Sequence, residues 1–308
     1  MKFWVTCAVL LSGVVALAVS NVNNYVFFAG FVVLQSIVLA TAWNILGGYA
    51  GYVNFGIPAF IGAGAYTALG MHLWIDASLI IQILAASLLC GIVGFLVGAL
   101  TVRLRGIFFS IATVALVFIF ETIVMNTPFL GGAAGMQLSR PETGGVFPTY
   151  LRMLVVVMLL LAIVAVALAR YVQDSYIGKG LKALRDSEEA AECCGVPTLK
   201  LKLLACSLSG ALLGTAGAPL PMYLSYIEPV STFNLLYAVS AIAMPIIGGM
   251  SHWIGPVIGA ILLSSLQQLV TVTISSELNV LVVGVLLVLF VVAAPDGIVG
   301  LYKRWKSS

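Results

Sequence analysis

The chain has 308 residues, of which 62% are hydrophobic and only 8% charged, and its formal net charge is +3. A soluble domain carries about a quarter charged residues, so this composition cannot coat a globule and points to a chain dissolved in lipid. Nucleic acid is excluded as a partner, because its phosphates require cations clustered on one face and these are dispersed.

A bilayer core about 30 Å thick is crossed by about 20 apolar residues of helix. Runs of that length, separated by polar or Gly/Pro breaks, predict ten spans near 3–20, 25–47, 49–73, 78–101, 106–126, 150–170, 202–224, 233–249, 253–273 and 278–296. The expected fold is therefore all-α, a polytopic integral membrane bundle in which residues 1–308 form one transmembrane domain. With Met1 placed in the cytoplasm, Lys2, Arg103, Arg105, Arg170, Lys179, Lys182, Arg185, Lys200, Lys202, Lys303, Arg304 and Lys306 all fall inside, and only Arg140 and Arg152 fall outside. The positive-inside rule thus puts both termini in the cytoplasm.

The first span has a second reading as a signal peptide, with Lys2 ahead of the apolar run and Ala16-Leu17-Ala18 as a cleavage site. Its removal leaves the remaining topology unchanged. The third span reads GYAGYVNFGIPAFIGAGAYTALG and the ninth follows GGMSHWIGPVIGAIL. Proline is favoured in the first helical turn, so Pro58 and Pro256 can each open a half-helix within the membrane. Broken helices at membrane depth face a watery cavity or are buried, and their free N–H groups hold carboxylates in many transporters. Tight helix crossings account for the surrounding glycines equally well. We take Asn54, Gly56, Pro58, Gly62, Tyr66, Thr113, Gly255 and Pro256 as candidate solute-pathway residues. Asn44, Gln267 and Gln268 add uncharged polar contacts, and such a lining favours a neutral or zwitterionic, partly apolar solute. Glu121, near the outer end of the fifth span, reads as a carboxylate reaching the interface.

Small-xxx-small spacing at Gly47/Gly51, Gly94/Gly98, Gly210/Gly214 and Gly255/Gly259 predicts close helix packing inside a compact bundle. The long charged segment 171–202 lies between the sixth and seventh spans, and its loop proper, 171–201, is expected in the cytoplasm. Lys179 to Cys194 reads as one amphipathic helix with Leu181, Leu184, Ala191 and Cys194 on a stripe. Gly195 is its C′ residue and Pro197 its stop. Balanced charge on that helix favours a protein partner over anionic lipid.

Cys7, Cys90 and Cys206 sit in apolar runs as small buried hydrophobes, and the adjacent Cys193 and Cys194 suit neither a metal nor a disulfide. No phosphate-binding loop, metalloprotease helix or nucleophile turn is present in the sequence. Enzymatic activity and a cofactor are therefore not expected of this chain, and any ATP-driven step belongs to another subunit.

Several stretches together resemble the permeases of branched-chain amino acid ABC transporters, in particular the M-type (LivM-like) subunit. The first runs from Leu46 to Tyr66, with Gly48, Tyr49, Gly51, Asn54, Gly56, Phe60, Gly62, Gly64, Ala65 and Tyr66 on the pattern. Arg103-Leu104-Arg105-Gly106-Ile107 with Phe109 and Thr113, and Gly131-Gly132-x-x-Gly135, are also similar to that family. Arg185-Asp186-x-Glu188-Glu189-Ala190-Ala191-x-x-x-Gly195 matches its ATPase-coupling motif, and Gly248-Gly249-Met250 with Gly255-Pro256 and Gly259-Ala260 its late glycine motif. Asn54, Ile57, Ala134 and Ser251 depart from the residues more usual there.

The resemblance implies a bacterial inner-membrane permease subunit that forms the pathway for branched-chain or other hydrophobic amino acids. Its implied partners are a second homologous permease, two cytoplasmic ATPases that bind ATP-Mg, and a periplasmic solute-binding protein. Gly178, Lys182, Arg185, Asp186, Glu188, Glu189, Ala190, Ala191 and Gly195 would form the coupling surface. Permeation of urea, short amides or another small carboxylate is the alternative, and a stand-alone channel or secondary carrier is a further one.

Overall fold

The computed structural model describes residues 2–19, 23–101, 104, 106–139, 147–273, 278–293 and 297–301. Arg103, Arg105, Arg140, Lys303, Arg304 and Lys306, which enter the orientation argument, lie outside the described residues, as does the C-terminal edge of the tenth expected span.

The helices follow the ten expected runs. In chain order α1 (Lys2–Val19), α2 (Asn24–Asn44), α3 (Ile57–Ile75), α4 (Leu79–Leu100), α5 (Ile107–Met125) and α6 (Tyr150–Asp174) form the first six. Two short helices, α7 (Tyr176–Asp186) and α8 (Glu188–Cys193), lead into α9 (Thr198–Gly217) and α10 (Leu220–Leu224), which share the seventh run. The eighth run divides into α11 (Pro229–Thr232) and α12 (Leu236–Gly248), and α13 (Ile254–Thr273) and α14 (Leu278–Ala293) complete the bundle. A two-residue antiparallel pair, β1 (Met136–Gln137) with β2 (Tyr226–Ile227), closes the end away from α7 and α8.

Among the described residues, seven segments are long and apolar enough to cross a membrane, and α1 and α14 add shorter apolar stretches, Val9–Ala18 and Leu281–Phe290. The protein is an all-α, polytopic membrane bundle. On α4, for instance, Ile80, Leu84, Leu88 and Ile92 are exposed, which suits lipid contact. The opposite helix faces are packed through glycine. A Cβ on Gly94 would lie 2.5 Å from the Cys206 carbonyl oxygen, and one on Gly210 would lie 2.7 Å from that of Cys90, so α4 and α9 meet backbone to backbone. Their glycine pairs therefore pack helices within this one chain.

α2 runs through the centre, buried from Gln35 to Asn44, and continues as a wide π-type turn over Ile45–Tyr49. The third span thus differs from expectation. Its helix starts at Ile57 rather than at residue 49, and residues 51–56 are irregular. Gly51 adopts φ +79°, a left-handed turn that L side chains disfavour, and Pro58 then sits in the first turn of α3. Pro256 holds a comparable place near the start of α13. Around it the glycines serve a close crossing, since a Cβ on Gly248 would run into the Gly255 oxygen and one on Gly255 into the Gly249 oxygen.

The expected single helix over 179–194 is also corrected. Ser187 is extended (φ −165°, ψ 113°), ends α7 and caps α8, its side chain accepting the Ala190 N–H at 3.3 Å. Leu181, Leu184 and Ala191 are buried as expected, but the bend turns Cys194 outward, where it is exposed. Gly195 has φ +79° just past α8, the conformation that its place as C′ residue requires.

Candidate functional site

The charged α7–α8 elbow is tied to the bundle by side chains from four separate parts of the sequence. Glu188, at the start of α8, reaches back to α9, where Lys202 Nζ donates to its Oε1 at 3.4 Å. The Lys202 side chain is 1% exposed and that of Glu188 15%, so this is a buried ion pair. Tyr52, in the irregular segment before α3, donates its hydroxyl to the other carboxylate oxygen, Oε2, at 2.9 Å. The Lys202 ammonium lies 4.3 Å from the centroid of the same Tyr52 ring, a cation–π contact strengthened by exclusion of water. One carboxylate thus joins α8, α9 and the approach to α3.

Arg185, at the end of α7, makes the neighbouring link. Its Nη1 donates to the Gly48 carbonyl oxygen at 3.0 Å, an acceptor freed by the loosened turn at the end of α2. Its aliphatic stem covers Gly51 so closely that a Cβ there would lie 2.7 Å from Arg185 Cγ. At the base of α7, Gln173 Oε1 accepts from the Tyr49 hydroxyl at 3.2 Å and from the Trp253 N–H at 2.7 Å, tying the end of α6 to the end of α2 and to the loop before α13. Gly178 lets this corner close, because a Cβ there would meet the Val172 oxygen.

Segment 51–56 continues from these contacts to α3. The Trp43 indole N–H donates to the Asn54 carbonyl at 3.0 Å, and the Ser110 hydroxyl to that of Val53 at 2.8 Å. Thr113 Oγ1 accepts the Phe55 N–H at 3.1 Å, and Asn54 Oδ1 accepts the Gly56 N–H at 2.7 Å. Asn54 and Gly56 are buried, and buried backbone groups outside a helix need such partners. Asn54→Ala leaves the buried Gly56 N–H without its acceptor and is expected to cost about 1–3 kcal/mol, read as a lower melting temperature in detergent; an unchanged value would show that the Asn54 contact is dispensable.

The outer face of the elbow carries Asp186, Glu189, Ala190 and Gly195, all exposed, while Lys182 is half-buried. The residues expected on the coupling surface therefore separate into two sets. Glu188 and Gly178 face the bundle, Asp186, Glu189 and Ala190 face away from it, and Arg185 lies between, exposed and 3.5 Å from Asp186 while donating to Gly48. Ala191 is buried and anchors α8.

The expected pathway residues are placed as follows. Asn54, Gly56, Pro58 and Thr113 come together in the segment that opens α3. Gly62 lies under the Phe233 ring, which also stacks on Tyr66 at 6.0 Å. Gly255 and Pro256 are buried in the α12–α13 crossing. His72 and His252 lie at helix ends, and Glu121 is half-buried on α5. Arg152, expected outside, is 6% exposed on α6, where it donates to the Ala18 carbonyl at 3.2 Å and lies over the Phe27 ring.

Tyr52, Gln173 and the buried state of Lys202 escape a reading of the sequence. One signal for Lys202 is present, since it stands inside LKLKLLAC, a cation already within an apolar run.

The family model described as "Branched-chain amino acid transport system / permease component" matches residues 24–291, which includes the elbow, segment 51–56 and the α12–α13 crossing. The chain belongs to this family. Within it, the chain is 26% identical over 287 residues to the high-affinity branched-chain amino acid transport system permease protein LivM of Escherichia coli K12, covering 85% of this chain and 67% of the relative. The LivM protein of Salmonella typhimurium LT2 is 25% identical over the same extents. A probable branched-chain amino acid transport permease, LivH of Methanocaldococcus jannaschii, is 31% identical over 136 residues, 42% of each chain. No solved structure matches this family member at a significant level.

Proposed function

We propose that this chain is the membrane-spanning permease subunit of an ABC importer for branched-chain or other hydrophobic amino acids, driven through its α7–α8 elbow by a separate ATPase. Family membership and the names of its relatives support the transport reading. The observation that carries the coupling reading is the division of the elbow's charges. Asp186 and Glu189 are exposed, Glu188 reaches Lys202 and Tyr52 inside the bundle, and Arg185, beside Asp186, donates to Gly48. A pull on the elbow is then a pull on segment 51–56 and on the start of α3, and a bundle with two arrangements would respond by exchanging them.

The complete importer in this reading has a second homologous permease, two cytoplasmic ATPases carrying ATP-Mg and a periplasmic solute-binding protein. The chain sits in a bacterial inner membrane with both termini and the elbow in the cytoplasm. Lys179, Lys182, Arg185, Lys200 and Lys202 all gather at the elbow end, as the positive-inside rule requires of a cytoplasmic face.

Glu189→Lys reverses an exposed charge and leaves the contacts of Glu188 with Lys202 and Tyr52, and of Arg185 with Gly48, in place. It is expected to reduce ATP-driven leucine uptake about tenfold or more, because a like charge set against a partner costs several kcal/mol, with the amount of protein in the membrane unchanged. The exposed Cys193 and Cys194 provide natural crosslinking handles on the same face. Bismaleimide crosslinks from them in native membranes should capture a nucleotide-binding protein. Crosslinks that never do so, with or without ATP, would remove the coupling role.

A further inference from the structure

A cavity of about 310 Å³ lies between α2, α11–α12 and α13, apart from the segment around Asn54. Its volume is at the lower end of the range for small-molecule sites, roughly 300–1,000 Å³. Gln35 and Ser36 come from α2, Tyr237 and Ser240 from α12, Gln267 from α13, and Asn234 from the turn before α12. Leu39 and Met244 supply apolar wall deeper in. None of the lining side chains carries a charge.

Depth in the membrane makes this lining informative. Gln35 is about 16 Å along α2 from Asn24 and about 14 Å from Asn44, at the middle of a segment that crosses a bilayer. Amide and hydroxyl groups there are costly against lipid and are kept where they meet another polar group, water or a solute. Several are already oriented from within the chain. Gln35 is 5% exposed and donates Nε2 to the Ala216 carbonyl at 3.0 Å, and Gln267 Nε2 donates to Ser240 Oγ at 3.4 Å. Two other hollows, one beside Phe95, Leu203 and Leu208 and one beside Val285 and Leu289, are bordered mainly by aliphatic side chains and suit lipid tails.

The cavity also has a direction. Ser231, Asn234 and Leu236 at its rim are exposed and lie at the end away from α7 and α8, whereas Gln35, Ser36 and Met244 are buried. It therefore opens on the side opposite the elbow and ends inside the bundle.

We infer that this cavity is a solute-binding site, which holds a small zwitterion with an aliphatic side chain on its way through the membrane. Gln35, Ser240 and Gln267 face the charged end of the solute, and Leu39 and Met244 face its aliphatic end. An uncharged lining is suited to transit, since a pathway must bind well enough to admit a solute and weakly enough to release it. The inference rests on the permease reading and adds to it the place where the solute sits.

The test uses the complete importer, with its second permease, ATPases and binding protein, in proteoliposomes and with radiolabelled leucine as the probe. Ser240→Cys is treated with a charged, membrane-impermeant methanethiosulfonate applied on the side opposite the elbow. Modification is expected to lower uptake about tenfold relative to wild-type protein given the same reagent, as the loss of a few hydrogen bonds to the solute requires. Saturating leucine with binding protein should slow the modification. Gln267→Leu, which introduces no thiol, should raise the leucine KM with protein yield unchanged. A thiol at position 240 that never reacts, or that reacts fully without affecting uptake, overturns the site while the permease reading stands. Absence of ATP-driven leucine uptake by the wild-type importer overturns both.

Discussion

Lys202→Met is expected to lower stability by about 3–5 kcal/mol and to uncouple the elbow from the bundle. Methionine replaces the stem of the lysine almost atom for atom and adapts readily to the space, so the lost term is the charge. In the native protein the ammonium sits between the Glu188 carboxylate and the face of the Tyr52 ring, almost wholly shielded from solvent. Without it a largely buried carboxylate loses its cation, which costs far more than an exposed pair would.

The measurement is a melting temperature in detergent, with a decrease of about 10 °C expected from a loss of this size. The double variant Glu188→Gln/Lys202→Met removes both charges and should recover most of the stability, because an uncharged amide in place of the carboxylate no longer needs a counter-ion. Leucine uptake should remain low in that double variant, since the α8-to-α9 ion pair is absent. A melting temperature unmoved by Lys202→Met would show that apolar contacts of Leu181, Leu184 and Ala191 hold the elbow by themselves.

Gly248→Ala should be at least as damaging, through a wholly different cause. A single methyl at Gly248 is directed at the Gly255 carbonyl oxygen, closer than real Cβ atoms approach, with the Gly255 carbonyl carbon at 2.6 Å and Gly259 N at 2.9 Å. Both neighbours are backbone, so no side chain can rotate aside and α12 must move away from α13. The crossing is reciprocal, because Gly255 is pressed against Gly249 and Gly259 against Met244, and separation forfeits all these contacts together. Overpacking of a yielding site costs about 1–3 kcal/mol, and this rigid one should exceed about 3 kcal/mol. The expected result is loss of the monodisperse peak in detergent gel filtration. Gly30→Ala and Gly284→Ala are the controls, since a Cβ at either helical position meets nothing within 4 Å. Wild-type behaviour of Gly248→Ala would mean that the two helices do not cross this closely.

The α7–α8 elbow was half legible. Ser187 followed by Glu188 and Glu189 is an N-cap signature, and it marks the bend that an uninterrupted apolar stripe over 179–194 conceals. Gly195 and Pro58 declared themselves because a C′ glycine and a first-turn proline act through the local backbone. Tyr52 to Glu188 spans 136 positions and Arg185 to Gly48 spans 137, and no local pattern specifies either contact. The cavity residues gave a similarly partial signal: Gln267 was visible as an intramembrane amide, but Gln35 and Ser240 acquire significance only where α2 and α12 approach it.

Sequence alone determined that the chain lies in lipid, where its apolar runs fall and that Pro58 opens a helix. Those features follow residue by residue from the cost of placing polar groups in hydrocarbon and from backbone geometry. Tertiary structure decided which carboxylate of the elbow turns inward, which glycines bring backbones into contact and which amides gather around one hollow. These depend on groups far apart in the chain, whose attraction acts only after the helices have packed.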